Sequence, residues 1–212
     1  MGEEDKLLIS LSEGEILDRY SILDIKYNEI DDSSRKSHIN KELVYYSRFN
    51  YLKTTYFIYY KLLYFVNKRI WDLTNIIKGI TELNEYYAKI AYDIFEYNQS
   101  RFRLKNIINT ISNSNFKEQK SYNLKDVSIY IKNETKDLFN IVYAILSFDR
   151  VIVNFNKDVS SNFIAKILTL FPILEYSDDC IETLKIDYEN YNNSLLYKFM
   201  NESIQYNIDH II

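Results

Sequence analysis

The scarcity of glycine and proline is the feature that most restricts this chain, because only three glycines and one proline occur in its 212 residues. Sharp turns rely on these two residue types, and a fold of many short strands needs many such turns. Hydrophobic residues make up 47% of the chain, which is enough to bury a substantial core. The sequence therefore predicts a folded, mainly helical protein in which long helices are joined by few tight turns.

Helical spacing of apolar residues dominates the first half of the chain. Ser12 and Glu15 form a capping-box pattern, and an apolar stripe at three- and four-residue steps follows it. We therefore predict a helix over 13–30. The same periodicity predicts three further helices: one through Tyr46, one over 53–83 and one over 85–112. Because the last two are long and their connection is short, they are expected to form an antiparallel hairpin.

The pattern changes after residue 122. Val127, Ile129 and Ile131 alternate with polar residues, a helical segment follows over 134–146, and a second β-branched run occupies 151–153. This order predicts a βαβ unit. The remaining predicted elements are a helix over 160–170, a short strand over 173–176 and a final helix over 181–208. We predict a helical bundle domain over 1–122 and a small α/β segment with a C-terminal helix over 123–212.

Cysteine and histidine usage argues against a metal or redox site. Cys180 is the only cysteine, which excludes an intramolecular disulfide and a cysteine-rich zinc site. His38 and His210 are far apart, and neither has a second ligand at helical spacing. We predict no metal site and no cofactor.

The chain also lacks the patterns of secreted and membrane-spanning proteins. The acidic N-terminus has neither the basic region nor the long apolar stretch of a signal peptide. The longest apolar segment, 56–66, is interrupted by Lys61 and is far shorter than the roughly 20 residues that span a bilayer. We therefore predict a cytoplasmic protein without a membrane span.

Residues 11–122 resemble an uncharacterised bacterial family, domain of unknown function 6165, in the order and spacing of several short strings. The strings are GEILDRYSILDIK at 14–26, Asn40 with Glu42-Leu43, Asn67 with Trp71-Asp72, Tyr97-Asn98, Arg101, Leu104-Lys105, Ile108-Asn109 and Glu118-Gln119-Lys120-Ser121-Tyr122. The resemblance implies a helical domain in a setting of surface-polysaccharide or nucleotide-sugar metabolism, with no established activity.

The chain departs from this family at positions where the family has acidic residues. Thr74, Asn75 and Ile76 follow the tryptophan here, and Gln99 follows Asn98. The resemblance therefore carries over no metal-binding or proton-accepting carboxylate at these positions.

Polar residues within the predicted helical stripes are the candidates for a ligand site. Asn98, Arg101 and Lys105 are spaced to share one helix face, where an amide and two cations could hold a phosphate or a carboxylate. The favoured alternative is a buried polar network that fixes the register of the helices. Trp71 is interpreted first as a core anchor and second as a ligand-stacking residue. The full set of candidates is Asn98, Arg101, Lys105, Trp71, Asn67, Asp18 and Lys26.

Residues 35–81 are strongly basic, with nine Lys or Arg and only two acids, whereas the chain as a whole has a net charge of −4. Tyrosines and phenylalanines are interleaved with these cations, a combination that can bind phosphates or a nucleic-acid strand. A solvated helical face is the simpler interpretation, and the acidic balance of the whole chain argues against nucleic acid.

Three functions remain open at this point, because the chain contains no motif of a known catalytic class. The leading hypothesis is a non-catalytic helical interaction or accessory module that binds a partner protein or itself, in a glycan-assembly setting. The alternative is a protein that binds or transforms a nucleotide-sugar or another phosphorylated small molecule and is related to glycosyltransferases. Its α/β segment is similar to part of a nucleotide-binding domain but lacks a Gly-rich phosphate loop. The third is nucleic-acid binding through residues 35–81.

Overall fold

The computed structural model describes residues 10–116, 125–132, 137–177, 184 and 190–205. Within them the protein is mainly helical, with a small parallel sheet and a helix after it, which confirms the predicted fold class. The helices of the first half are α1 (Glu13–Glu29), α2 (Ser33–Tyr46), α3 (Asn50–Thr55), α4 (Phe57–Lys78) and α5 (Glu85–Ile111), with a 3-10 turn (Ser47–Phe49) between α2 and α3. The second half contains β1 (Asp126–Ile131), α6 (Asp137–Ser147), β2 (Arg150–Phe155), α7 (Ser161–Leu170), β3 (Glu175–Tyr176) and α8 (Tyr191–Met200), and α8 continues into a π-helical turn (Asn201–Gln205).

Side-chain caps set the starts of several helices. The Ser12 hydroxyl accepts a hydrogen bond from the Glu15 amide at 3.3 Å, as the capping-box pattern predicts. Asp32 caps α2 in the same way at 2.7 Å, and Asn84 caps α5 at 2.9 Å. These local contacts explain why the sequence locates the beginnings of the helices well.

The helix predicted over 53–83 is interrupted, so that part of the prediction is wrong. Tyr56 leaves the helical conformation, with φ −111° and ψ 39°, and separates α3 from α4. Its ring is buried and its hydroxyl donates to Glu13 at 2.6 Å, which fixes the break against the start of α1. At the other end, α4 stops at Gly79.

Two elements of the second half also differ from their predicted bounds. Ile173 and Leu174 are not in a strand, because the Leu174 amide donates to the Phe171 carbonyl and closes a turn, which leaves only two residues in β3. The final helix begins at Tyr191 after an Asn190 cap, and Leu184 is not helical. Residues 181–183, 185–189 and 206–208 of that prediction, like 134–136 of the predicted helix before β2, lie outside the described residues.

The predicted βαβ unit is present. The sheet has the order β1-β2-β3, and both neighbouring pairs are parallel. In the register, Ile129 lies opposite Val153, and Val153 lies opposite Tyr176. Parallel strands require crossover connections, and α6 and α7 supply them.

The α4–α5 hairpin is the framework on which the rest of the protein packs. Phe65 in the middle of α4 meets Tyr97 in the middle of α5, with 6.4 Å between ring centroids. Because the two helices are joined by a short connection, this contact requires α5 to fold back along α4 in the antiparallel direction. Helix α1 packs against both of them, and α6 packs against α5. One continuous cluster of buried apolar side chains includes residues from both sides of position 123. The domain boundary near 123 therefore stays a prediction.

Among the helices of the described residues, none combines the length and the apolar character that crossing a membrane requires.

Candidate functional site

The Asp18 carboxylate lies at the centre of a polar network between α1, α4 and α5. Its side chain is only 3% exposed, and it accepts hydrogen bonds from Nε of Arg101 at 2.8 Å and from Nη2 at 2.5 Å. The Asn67 amide donates to Asp18 Oδ1 at 2.9 Å and to the Ser21 hydroxyl at 2.8 Å. We call Asp18, Ser21, Asn67 and Arg101 the Asp18 network. Its bidentate ion pair compensates the buried carboxylate and fixes how the three helices pack.

A second set of contacts holds the start of α1 against α5. The Lys105 ammonium donates to Glu15 Oε1 at 2.6 Å, and the Gly14 amide donates to Asn109 Oδ1 at 2.9 Å. The Gly14 contact is buried, and the missing side chain lets the two helix backbones approach closely. Lys105 is therefore already engaged in a contact between helices.

The other predicted site residues lie apart from the Asp18 network. Asn98 donates to the Ile94 carbonyl of its own helix at 2.9 Å. Trp71 is only half-buried and is not among the side chains of the buried apolar cluster, so it does not anchor the core as the sequence predicts. The buried positions in this part of α4 are Asn67 and Leu73. Lys26 is half-buried in the last turn of α1.

The structure thus brings three of the seven predicted ligand-binding residues into one network: Asp18, Asn67 and Arg101. Lys105 lies one turn further along α5 and pairs with Glu15. All four already have partners inside the protein, so a phosphate at this place would compete with a buried carboxylate for the same cation. Ligand binding at these residues stays a prediction, and the geometry is that of a network that holds helices together.

A buried ion pair that the sequence does not predict joins the two halves of the chain. The Arg103 guanidinium donates from Nε to Asp149 Oδ1 at 3.0 Å and from Nη1 to the Leu146 carbonyl at 3.0 Å. The two charged side chains are 6% and 8% exposed. Ser100 donates to the same carbonyl at 2.9 Å, and Asp149 Oδ2 accepts from the Lys125 amide at 2.9 Å. We call Arg103 and Asp149 the α5 clamp, because they tie α5 to the end of α6 and to the loop before β2.

A tyrosine cluster surrounds Asp24. The Lys53 ammonium pairs with this carboxylate at 2.7 Å and lies 3.3 Å from the centroid of the Tyr20 ring. The Tyr60 hydroxyl donates to Asp24 as well. Burial raises the pKa of Tyr60 far above its ordinary value, and the hydrogen bond to Asp24 raises it further. The Tyr60 hydroxyl therefore stays protonated at neutral pH and donates its hydrogen bond to Asp24, so it is not suited to act as a base.

This cluster predicts a loss of stability at alkaline pH. The raised pKa of Tyr60 means that its contribution to stability is complete below the unfolded-state value of about 10 and declines as the pH rises above it. Burial raises the pKa values of Tyr56 and Tyr59 in the same direction. Urea unfolding at a series of pH values from about 8 to 11 should show this decline.

A variant series isolates the contribution of Tyr60. Tyr60→Phe should flatten the alkaline decline, whereas Tyr51→Phe, which removes an exposed hydroxyl, serves as the matched control. An identical pH dependence in the wild type and in Tyr60→Phe would contradict the assignment.

The outer face of α2, the turn after it and the start of α3 combine exposed apolar and cationic side chains. The Arg48 guanidinium stacks over the Tyr45 ring at 3.7 Å from its centroid. Val44 is 65% exposed, and Tyr45 and Tyr51 are each 60% exposed. Within the described residues, neither Lys41 nor Arg48 pairs with a carboxylate. We call Lys41, Val44, Tyr45, Arg48 and Tyr51 the α2 surface.

The charge of this region is opposite to that of the whole chain. Residues 33–51 hold four Lys or Arg and one acid, which gives +3, against −4 for the chain. That acid, Glu42, faces Arg19 at 3.5 Å. The cations of the α2 surface are therefore available to an external partner.

Across the part of the chain that the structure describes, no three His, Cys, Asp or Glu side chains come together in a group that could hold a metal ion.

Comparison of the chain with protein-family models, with curated proteins and with solved structures finds no match.

Proposed function

We propose that this protein is a non-catalytic helical module that binds an acidic segment of a partner protein through the α2 surface. The observation that carries the proposal is the exposure of Val44, Tyr45 and Tyr51 in the same segment as Lys41 and Arg48, neither of which pairs with a carboxylate of the described residues. Exposed aromatic side chains and arginine are enriched where proteins bind one another. Acidic side chains on the partner would complement the local charge of +3.

Two other occupants are less favourable on electrostatic grounds. A second copy of the same surface would place two positively charged faces together, so a symmetric dimer through the α2 surface would be repulsive. A nucleic-acid strand would gain from the cations, but it carries one charge per nucleotide and is therefore repelled by the net charge of −4 more strongly than a peptide with a few acidic side chains. In addition, Arg48 already covers one face of the Tyr45 ring, which is the surface that a base would need for stacking.

The polar residues inside the bundle support a structural role for that part of the molecule. Asp18, Asn67 and Arg101 are satisfied by one another, and Lys105 is paired with Glu15. The resemblance of residues 11–122 adds a setting to the proposal, which is the assembly of surface polysaccharides or other glycans. We propose a cytoplasmic location for the module, as the sequence patterns predict.

Site-directed cross-linking in cells tests the proposal. A photo-reactive phenylalanine analogue in place of Tyr45 should give one discrete protein adduct, whose cross-linked peptide is rich in Asp and Glu. The same analogue in place of Tyr92, which is 61% exposed on α5, is the matched control and should not give this adduct. Changing Lys41→Glu and Arg48→Glu together should abolish the adduct, because the charge of the α2 surface is then reversed.

A synthetic peptide with the cross-linked sequence then allows a direct binding measurement. Isothermal titration should show affinity that is at least about tenfold weaker for the charge-reversed variant and that falls as salt is raised. An adduct with a second copy of this chain, an adduct with nucleic acid, or no adduct above the Tyr92 control would each overturn the proposal.

A further inference from the structure

A cavity of about 390 Å³ lies between α4, α5 and the start of α8, on another part of the molecule from the α2 surface. Its size falls within the range of pockets that hold small molecules. The polar and aromatic side chains that line it include Arg69, Tyr86, Lys89, Asp93, Tyr191 and Asn192. They combine two cations, one carboxylate, two aromatic rings and an amide.

Arg69 is the residue that indicates what the cavity binds. Its Nη2 donates to Asn192 Oδ1 at 3.3 Å, whereas its Nε is buried and has no hydrogen-bond partner. The guanidinium lies 5.8 Å from the Tyr97 ring centroid and 5.7 Å from that of Tyr191. No carboxylate lies within ion-pair distance of it among the described residues. A half-buried guanidinium with an unsatisfied N–H is costly and gains strongly from an anion.

The surroundings of Arg69 add to the positive potential. Lys89 lines the cavity and has no partner within the described residues. Asp93 contributes one negative charge, so the charged lining carries a net +1. The first residues of α8, Tyr191 and Asn192, also line the cavity, and the positive end of a helix favours a negative charge nearby. Apart from Asp93, these features are independent of one another and favour an anion.

The aromatic residues suggest what is attached to the anionic group. Tyr86 is 58% exposed and Tyr191 is 69% exposed, and both lie at the cavity. Exposed tyrosine rings at a pocket can stack on a flat ring of a ligand while a cation holds its charged end. We propose that the cavity binds a small molecule in which a phosphate or carboxylate group is joined to a planar ring. The anionic group replaces Asn192 as the partner of Arg69, and this function is separate from the binding of a protein at the α2 surface.

Isothermal titration of the whole chain with phenyl phosphate, benzoate and inorganic phosphate tests the proposal. At least one of the two ring-bearing anions should bind at least about tenfold more tightly than inorganic phosphate, and the tighter of the two identifies the anionic group. Arg69→Gln should weaken this binding at least about tenfold, because an amide lacks both the charge and the fork of the guanidinium.

Two further variants keep the test decisive. Arg35→Gln removes an exposed guanidinium that belongs neither to the cavity nor to the α2 surface and should leave the affinity unchanged. Lys89→Gln alters an exposed side chain at the cavity and should weaken binding by about two- to fivefold, which provides a result if Arg69→Gln fails to fold. No binding of either ring-bearing anion up to about 10 mM, equal binding of inorganic phosphate, or unchanged affinity in a folded Arg69→Gln or in Lys89→Gln would overturn the proposal.

Discussion

Replacing Arg103 by methionine is expected to reduce the free energy of unfolding by about 3–5 kcal/mol, the largest effect of any single substitution considered for this protein. The variant keeps much of the apolar stem but leaves the Asp149 carboxylate, only 8% exposed, without a compensating cation. It also removes one of the two donors to the Leu146 carbonyl, so only Ser100 remains. Urea unfolding followed by circular dichroism measures the loss.

The matched control is Arg150→Met, which removes a guanidinium from an exposed pair with Glu175. That pair is screened by solvent, so the control should unfold close to the wild-type midpoint. Adding Asp149→Asn to Arg103→Met should restore part of the stability, because the uncompensated charge is then removed. Equal losses in the Arg103 and Arg150 variants would show that the α5 clamp does not hold the two halves together.

Gly14→Ala is expected to cost about 2–3 kcal/mol, although it adds only one methyl group. A Cβ atom at this position would lie 2.6 Å from Asn109 Oδ1 and 2.6 Å from the carbonyl oxygen of Lys105. The second of these atoms belongs to the backbone of α5 and cannot rotate away. Helix α1 would have to move outward, which also strains the pair between Glu15 and Lys105.

Gly79→Ala provides the control for this substitution. The nearest atom to a Cβ there is the Ile76 carbonyl oxygen at 3.4 Å, and φ is −85°, which alanine readily adopts. This variant should change stability by less than about 1 kcal/mol and in the stabilising direction. Adding Asn109→Ala to Gly14→Ala removes one close contact but not the backbone one, so the double variant should remain destabilised. Thermal melting of the four proteins would contradict the close-approach argument if Gly14→Ala melted with the wild type.

The sequence correctly predicts the elements that depend on contacts between residues close to one another along the chain. Ser12 and Glu15 lie three positions apart, and their capping contact forms as predicted. The break at Tyr56 is missed because its hydroxyl partner, Glu13, lies 43 positions earlier in the chain. Apolar periodicity continues on both sides of the break, so it gives no signal of the interruption.

The same distinction separates the polar residues that the sequence singles out from those it misses. Asn67 and Arg101 are identified as residues of interest, but their shared partner Asp18 lies 49 and 83 positions away from them. Arg103 is overlooked because its partner Asp149 follows 46 positions later, in the other half of the chain. Spacing along one helix shows which side chains share a face, and it does not show which helix that face meets.

The arrangement of α5 has a consequence for how the chain reaches its native state. The α4–α5 hairpin is stabilised by neighbours along the chain, and contacts that close short loops form quickly. The two strands β1 and β2, in contrast, have no short connection from which pairing can spread, because even their first pair, Asp126 with Arg150, requires the whole parallel crossover to be in place, which is slow to form. Because α5 contributes to the buried core and carries the basic half of the α5 clamp, it can form with its hairpin partner before the strands pair. The helical half would then act as a template during folding, and the strands would acquire their order by condensing onto a surface that already exists.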